Sequence, residues 1–242
     1  MFKDILLPLP SFPQTISRAA LRRALEIPVL LDAHVTGLVD EPTLPAPVVR
    51  HPFGSELEHQ LGVRQKEVHD AATAQLAAFE EEASRAGLSY EGRLVATSSG
   101  SSDDPVVEFA RLRDLTVVPF VENDDARSDL AQALVFESGR PVLMLPEAAD
   151  RPFALDRVVV AWDFGRAAAR AVGDALPLLT RAGEVRVVTV SRDKQLPENT
   201  SGPELAAHLT RNGVNVVFEE IERGRRSVGQ ALDEAAAGAD LM

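Results

Sequence analysis

Short, unbroken apolar runs recur along the chain, and helically spaced segments fill the gaps between them. The first run is Ile5-Leu6-Leu7-Pro8-Leu9, followed by Pro10 and Pro13 as breakers. A short run that is apolar at every position predicts a strand buried on both faces. Residues 14–26 set Ile16, Ala20, Leu21, Ala24 and Leu25 at helical spacing, and Val29-Leu30-Leu31 together with His34-Val35-Thr36-Gly37-Leu38-Val39 reads as the region of a second strand. Pro42, Pro45, Pro47 and Pro52 predict a loop, because each proline removes a backbone donor and restricts the residue before it.

Residues 56–85 predict the longest helix. Leu57, Leu61, Val68, Ala72, Phe79 and Ala83 advance in alternating steps of four and seven, which keeps them on one stripe. Gly87 stands where a C-terminal cap belongs. Residues 88–97 predict a third strand and Ser98-Ser99-Gly100-Ser101-Ser102 a polar loop. Asp104-Pro105 is a helix start, with an acceptor at the cap and proline in the first turn. Leu115-Thr116-Val117-Val118-Pro119-Phe120 is the fourth strand, residues 126–137 a helix closing at Gly139, and Pro141-Val142-Leu143-Met144-Leu145 the fifth strand. Alternating strands and helices predict an α/β fold whose parallel sheet is covered on both faces.

The pattern then restarts. Residues 1–146 form a first module, residues 147–155 a polar linker, and residues 156–242 a second module. Val158-Val159-Val160-Ala161-Trp162 matches the first run, and residues 170–176 echo residues 19–25. Val185 to Val190 repeats the second strand, Ser201-Gly202-Pro203-Glu204 is a capping box before a helix that stops at Gly213, and Val214-Asn215-Val216-Val217-Phe218 is the third strand. Ser227 and Gln230 cap another helix, and Ala239-Asp240-Leu241-Met242 matches Arg113-Asp114-Leu115-Thr116, where the fourth strand begins. On this alignment the second module stops before its fourth strand, final helix and fifth strand.

Composition narrows the function. Lys and Arg number 25 against 37 Asp and Glu, a net charge of −12, so the average surface repels nucleic acid and anionic membranes. At 45% hydrophobic residues the chain has the means to bury a core, which argues against disorder as its main state. With no cysteine, thiolate catalysis, disulfides and cysteine-held metals are excluded. Neither a signal-peptide run nor a membrane-spanning stretch occurs, so the expected compartment is the cytoplasm.

Four segments together resemble the universal stress protein family: Val158 to Arg166 at the first strand of the second module, Asp174-Ala175-Leu176-Pro177-Leu178-Leu179, Arg226-Ser227-Val228-Gly229, and Ser138-Gly139-Arg140-Pro141-Val142-Leu143. The resemblance covers the whole chain as a tandem of two modules. It implies two open parallel five-stranded sheets of order 3-2-1-4-5 with helices on both faces, the second lacking its last strands. It also implies pairing of modules through fifth strands and, in many members, ATP binding without a metabolic reaction. Members that bind ATP resemble one another in an acid just past strand one and a glycine-rich loop, G-x2-G-x9-G-[S/T], after strand four. Pro10 takes the acid's place in the first module, and Val121-Glu122-Asn123-Asp124-Asp125-Ala126-Arg127 follows strand four with no glycine and three carboxylates. Such a segment repels a triphosphate.

In the second module Asp163 holds the acid's place with Trp162 beside it, and these two are the expected nucleotide or adenosine contacts. Asp163 serves equally as a cap for the helix beginning near Gly165, and Trp162 equally as a half-buried strand-end aromatic. The matching glycine loop falls beyond Met242, so the expectation is a chain without a bound cofactor, ATP included. His51, His59 and His69 are spaced by eight and ten, too far for a shared metal face on a helix, and read as surface residues. No G-x-S-x-G nucleophile elbow, no G-x-G-x-x-G dinucleotide loop and no S-G-G-x-D-S hydrolase loop occurs. Glu80-Glu81-Glu82 reads as a solvated helix face, and residues 122–125 as a helix cap rather than a cation site. The leading expectation is a non-catalytic stress-response protein acting through binding and association, with an ATP-binding regulator as the alternative. An apolar first strand left at a sheet edge, together with the first module's own fifth strand, predicts a homodimer through sheet edges.

Overall fold

The computed structural model describes residues 1–44, 54–98, 104–121, 124–148, 151–191 and 202–242. The Ser-rich loop, His51, Glu122, Asn123 and the Ser201 cap lie outside the described residues. Two compact units divide the chain, Met1–Pro152 and Phe153–Met242.

In the first unit, strands β1 (Asp4–Leu9), β2 (His34–Thr43), β3 (Tyr90–Ser98), β4 (Leu115–Phe120) and β5 (Val142–Pro146) form one parallel sheet of order β3-β2-β1-β4-β5. β1 is central, and Ile5, Leu6, Leu7 and Leu9 are each at most 1% exposed. That double burial is why the run carries no alternating polar positions. Helices α1 (Arg18–Leu31), α2 (Gly54–Arg85), α3 (Pro105–Arg111) and α4 (Asp125–Glu137) supply the crossovers. The stripe on α2 packs as its spacing requires, with Val68, Ala72, Phe79 and Ala83 fully buried. Beneath α3 and α4 lies a cluster of Leu6, Leu38, Val106, Val107, Ala110, Val118 and Leu134.

Three expectations on the first unit are corrected here. Pro42 is not loop: it lies inside β2, paired with Thr97 of β3. Val29-Leu30-Leu31 is not strand: it is the last turn of α1, which begins at the Ser17 cap and continues through Pro28. The buried stripe Leu21, Ala24, Pro28, Leu31 keeps helical spacing across the proline, and the helix ends only where Asp32 turns left-handed, with its carboxylate on Lys3. Nor is Glu80-Glu81-Glu82 a solvated face throughout. Glu82 is 4% exposed and accepts from Arg22 at 3.0 Å, Arg18 at 3.2 Å and Arg85 at 3.1 Å, while Glu81 also holds Arg18 and Arg85. This network ties α1 to α2.

In the second unit, β6 (Arg157–Ala161), β7 (Glu184–Ser191) and β8 (Val216–Glu222) form a three-stranded parallel sheet of order β6-β7-β8, with helices α5 (Arg166–Leu179), α6 (Gly202–Arg211) and α7 (Val228–Ala235). Its third strand runs two residues later at its start, and four later at its end, than the apolar run 214–218 alone predicts. The Ser227–Gln230 capping box is complete in both directions.

The repeat is visible atom by atom. In the first unit Asp114 donates its N–H to the Asp4 carbonyl at 2.8 Å and accepts from the Asp4 N–H at 3.1 Å. In the second, Asp240 donates to the Arg157 carbonyl at 2.8 Å and accepts from the Arg157 N–H at 2.8 Å. Leu241 then bridges Val158 in parallel, as Leu115 pairs with Ile5. The start of β6 is therefore not a bare edge: Asp240 and Leu241 pair with it.

Candidate functional site

Each unit places a cavity at the carboxyl end of its first strand. In open parallel sheets this is where connections part to opposite faces and leave a crevice.

In the second unit β6 ends at Ala161, and the chain turns through Trp162, Asp163 and Phe164 to Gly165, the N-cap of α5. The turn is held at three points. Trp162 donates its N–H to the Val188 carbonyl at 2.8 Å and accepts the Thr189 hydroxyl at 3.1 Å, and Asp163 accepts the Gly165 N–H at 2.7 Å. Asp163 is therefore not the helix cap itself but closes a turn two residues ahead of it. Glycine at 165 leaves room for that closure, since a Cβ there would stand 2.6 Å from the Asp163 carboxylate and displace it. Phe164 takes the left-handed conformation, φ 59°, and its ring meets Trp162 edge-on at 5.4 Å. The cavity here, about 350 Å³, is lined by Trp162, Asp163, Ala167, Thr189, Val228 and Leu232 among others. The two residues singled out in the sequence thus line one cavity. Trp162 is half-buried, and its Nε1 is buried without a partner among the described residues.

The first unit holds a larger cavity, about 480 Å³, at the ends of β1, β2 and β4. Pro10 lines it, as expected, where the second unit has Asp163. The acid is supplied instead by Asp40 near the end of β2, a residue that sequence reasoning missed. The available signal was an acid directly after the buried run Val35-Thr36-Gly37-Leu38-Val39, at the carboxyl end of a strand beside the central one. Asp40 accepts the Ser11 N–H at 3.1 Å, while the Ser11 hydroxyl donates to the Asp40 carbonyl. Burial pushes the Asp40 carboxyl above its ordinary 3.8, the Ser11 N–H works against that shift, and nearby Asp104 adds to it. Asp104 caps α3 through the Val106 N–H at 2.8 Å, and Asp124 caps α4 through the Arg127 N–H at 3.1 Å, as residues 122–125 were expected to do. Arg127, a second residue the sequence did not flag, is 7% exposed, with its guanidinium held by Asp124 at 3.1 Å and by Glu147.

Among the described residues no group of three acids or histidines is placed to hold a metal ion. His69 meets Glu41 at 3.2 Å and is exposed, and His59 is exposed on α2.

No protein-family model matches the chain, and neither does any curated protein. Solved structures do. A universal stress protein from Archaeoglobus fulgidus DSM 4304 superposes with a TM-score of 0.63 at 16% identity, over 97% of this chain and 82% of that one. A candidate universal stress protein from Pseudomonas aeruginosa UCBPP-PA14 superposes with a TM-score of 0.52 at 16% identity, over 99% of this chain and 80% of that one. A functionally unknown protein from Pseudomonas aeruginosa PAO1 gives the same TM-score and identity over 99% and 79%. The chain has the tandem α/β fold found in universal stress proteins.

Proposed function

We propose that this chain is a universal-stress-type protein of the cytoplasm that works by binding and association, without turnover. No helix among the described residues is long and apolar enough to cross a membrane. One observation carries the reading: several of the polar side chains at both strand-end cavities are engaged in holding backbone or each other. Asp163 holds Gly165, the Thr189 hydroxyl holds the Trp162 carbonyl, Asp104 caps α3, and Arg127 is paired with two carboxylates. Nucleophilic catalysis needs a hydroxyl or thiol with a base in hydrogen-bond reach, whereas the Thr189 hydroxyl donates to the Trp162 carbonyl and the Ser11 hydroxyl to the Asp40 carbonyl. Self-association is assigned to the outer edge of β5, where Met144 is 42% exposed and Phe136 on the adjoining α4 is 81% exposed. Light scattering on the chain and on Phe136→Asp tests it, with a dimer expected for the first and monomer for the second.

A second reading, an ATP-binding regulator using the second unit, is favoured by Trp162 and Asp163 sharing one cavity. Isothermal titration with adenosine and with magnesium ATP separates the two. Micromolar binding lost in Asp163→Ala supports the second reading, and absence of heat supports the first. Hydrolysis of the added ATP overturns both.

A further inference from the structure

The first unit's cavity is an apolar chamber with an acidic floor. Leu38, Val118, Leu130 and Ala133 form part of its walls. Asp40 and Asp104, on two different elements, are close enough for Asp104 to push the Asp40 carboxyl further upward, and Asp129 stands exposed among the lining residues. The cationic side chain lining the cavity, Arg127, is already neutralised by Asp124 and Glu147 outside this set. Asp40 is half-buried, and a carboxylate partly withdrawn from water beside apolar walls is relieved by a positive charge or a donor that comes to it. Asp40 accepts the Ser11 N–H, and among the described residues no cationic side chain is bonded to it. At about 480 Å³ the chamber falls in the range of small-molecule sites, which are mostly apolar with a few convergent polar groups.

We propose that this cavity binds a small amphiphilic organic cation, a protonated amine on an aromatic or branched aliphatic body, with the ammonium on Asp40 and Asp104 and the body against Leu38, Val118 and Leu130. The assignment deepens the binding reading above and rests on it. An anionic nucleotide is the wrong sign for this floor. A divalent metal is the wrong shape, because the walls offer carbon where a metal needs a closed set of oxygens. The amine satisfies both halves of the chamber: its charge offsets the carboxylates, and its body covers apolar wall.

The test is isothermal titration of the full chain with three probes of nearly equal size: 2-phenylethylamine, 2-phenylethanol and 3-phenylpropanoate. The amine is expected to bind at least about tenfold more tightly than the alcohol, in line with a charge-assisted contact, and the carboxylate not at all. Asp40→Asn keeps an acceptor for the Ser11 N–H while removing the charge, and should abolish the preference for amine over alcohol. Asp104→Asn keeps an acceptor that caps α3, so it reports on the charge alone if Asp40→Asn fails to fold, and should narrow the preference. Asp233→Asn, at an exposed position on α7 in the other unit, should leave amine binding unchanged. Equal affinity for amine and alcohol, no amine binding, or a preference untouched by either first-unit variant overturns the proposal. Amine recovered chemically altered overturns the non-catalytic reading while leaving the site in place.

Discussion

Gly37 shows how closely one residue is determined by its surroundings. It lies in the middle of β2, and a Cβ there would stand 2.5 Å from the Phe79 ring, which is itself fully buried. The sheet and α2 approach each other at this point only because the strand offers no side chain. Gly37→Ala is expected to lower unfolding free energy by about 1–3 kcal/mol, the usual cost of forcing a methyl into a packed core. Urea denaturation followed by circular dichroism measures it, and an unchanged midpoint would mean that Phe79 can swing aside. Asp40 makes the opposite point about legibility. In the sequence its one signal is its place directly after the buried run that ends at Val39, in Val39-Asp40-Glu41-Pro42. Its position at the cavity depends on strand register and on Ser11, 29 residues away, folding back onto it. Trp162 and Asp163 were singled out through the resemblance, which looks for an acid just past strand one and has no counterpart for an acid after strand two.

At the scale of elements, the plainest local signals were read correctly. The apolar runs of β1 and β4, the stripe on α2 and the Asp104-Pro105 start all fall where periodicity and capping place them. Two of the readings that failed involve competing signals. Pro28 looks like a breaker followed by a strand, yet the buried stripe of α1 passes straight through it. Glu82 carries a charge, which suggested water, yet three arginines from two helices make burial tolerable. That network has a pH signature. The hydrogen bond from Arg22, ahead of the other arginine contacts and against some desolvation, holds the Glu82 carboxyl below its ordinary 4.5. A carboxyl with a depressed native value stabilises the fold above the ordinary value, and that contribution fades as pH falls through the native one. Glu82→Gln should therefore melt below the parent chain at neutral pH, with the gap closing as pH falls below 4.5. Thermal melts across that range check it, and a gap independent of pH would assign the loss to packing instead of charge.

For the whole molecule, the repeat gives two units the same topology around strand one but different degrees of enclosure. β1 has a pairing strand on each side over both β2 and β4, and its positions 5–9 are buried without exception. β6 pairs fully with β7 on one side and, among the described residues, meets only Asp240 and Leu241 on the other. β8 contains no fully buried residue, and Val217 on it is 49% exposed. Amide protection follows the free energy of the opening that exposes each N–H, and openings are easiest where few apolar contacts must be broken. Hydrogen exchange read by mass spectrometry should therefore rank the strands. Peptides covering β1 are expected to exchange slowest, β7 to be intermediate, and β8 to exchange at least about tenfold faster than β1, a ratio that needs only about 1.4 kcal/mol of difference in opening free energy. Within β6 the gradient should run along the strand. The Val159 N–H, given to the Leu241 carbonyl at 2.9 Å, should outlast the Ala161 N–H two residues on along the same edge, and Asp240→Ala should speed exchange at Val159 by loosening the pair that holds Leu241 in place. Equal protection of β1 and β8 would mean that contacts outside the described residues cover the second sheet, and the difference in enclosure would then have no energetic consequence.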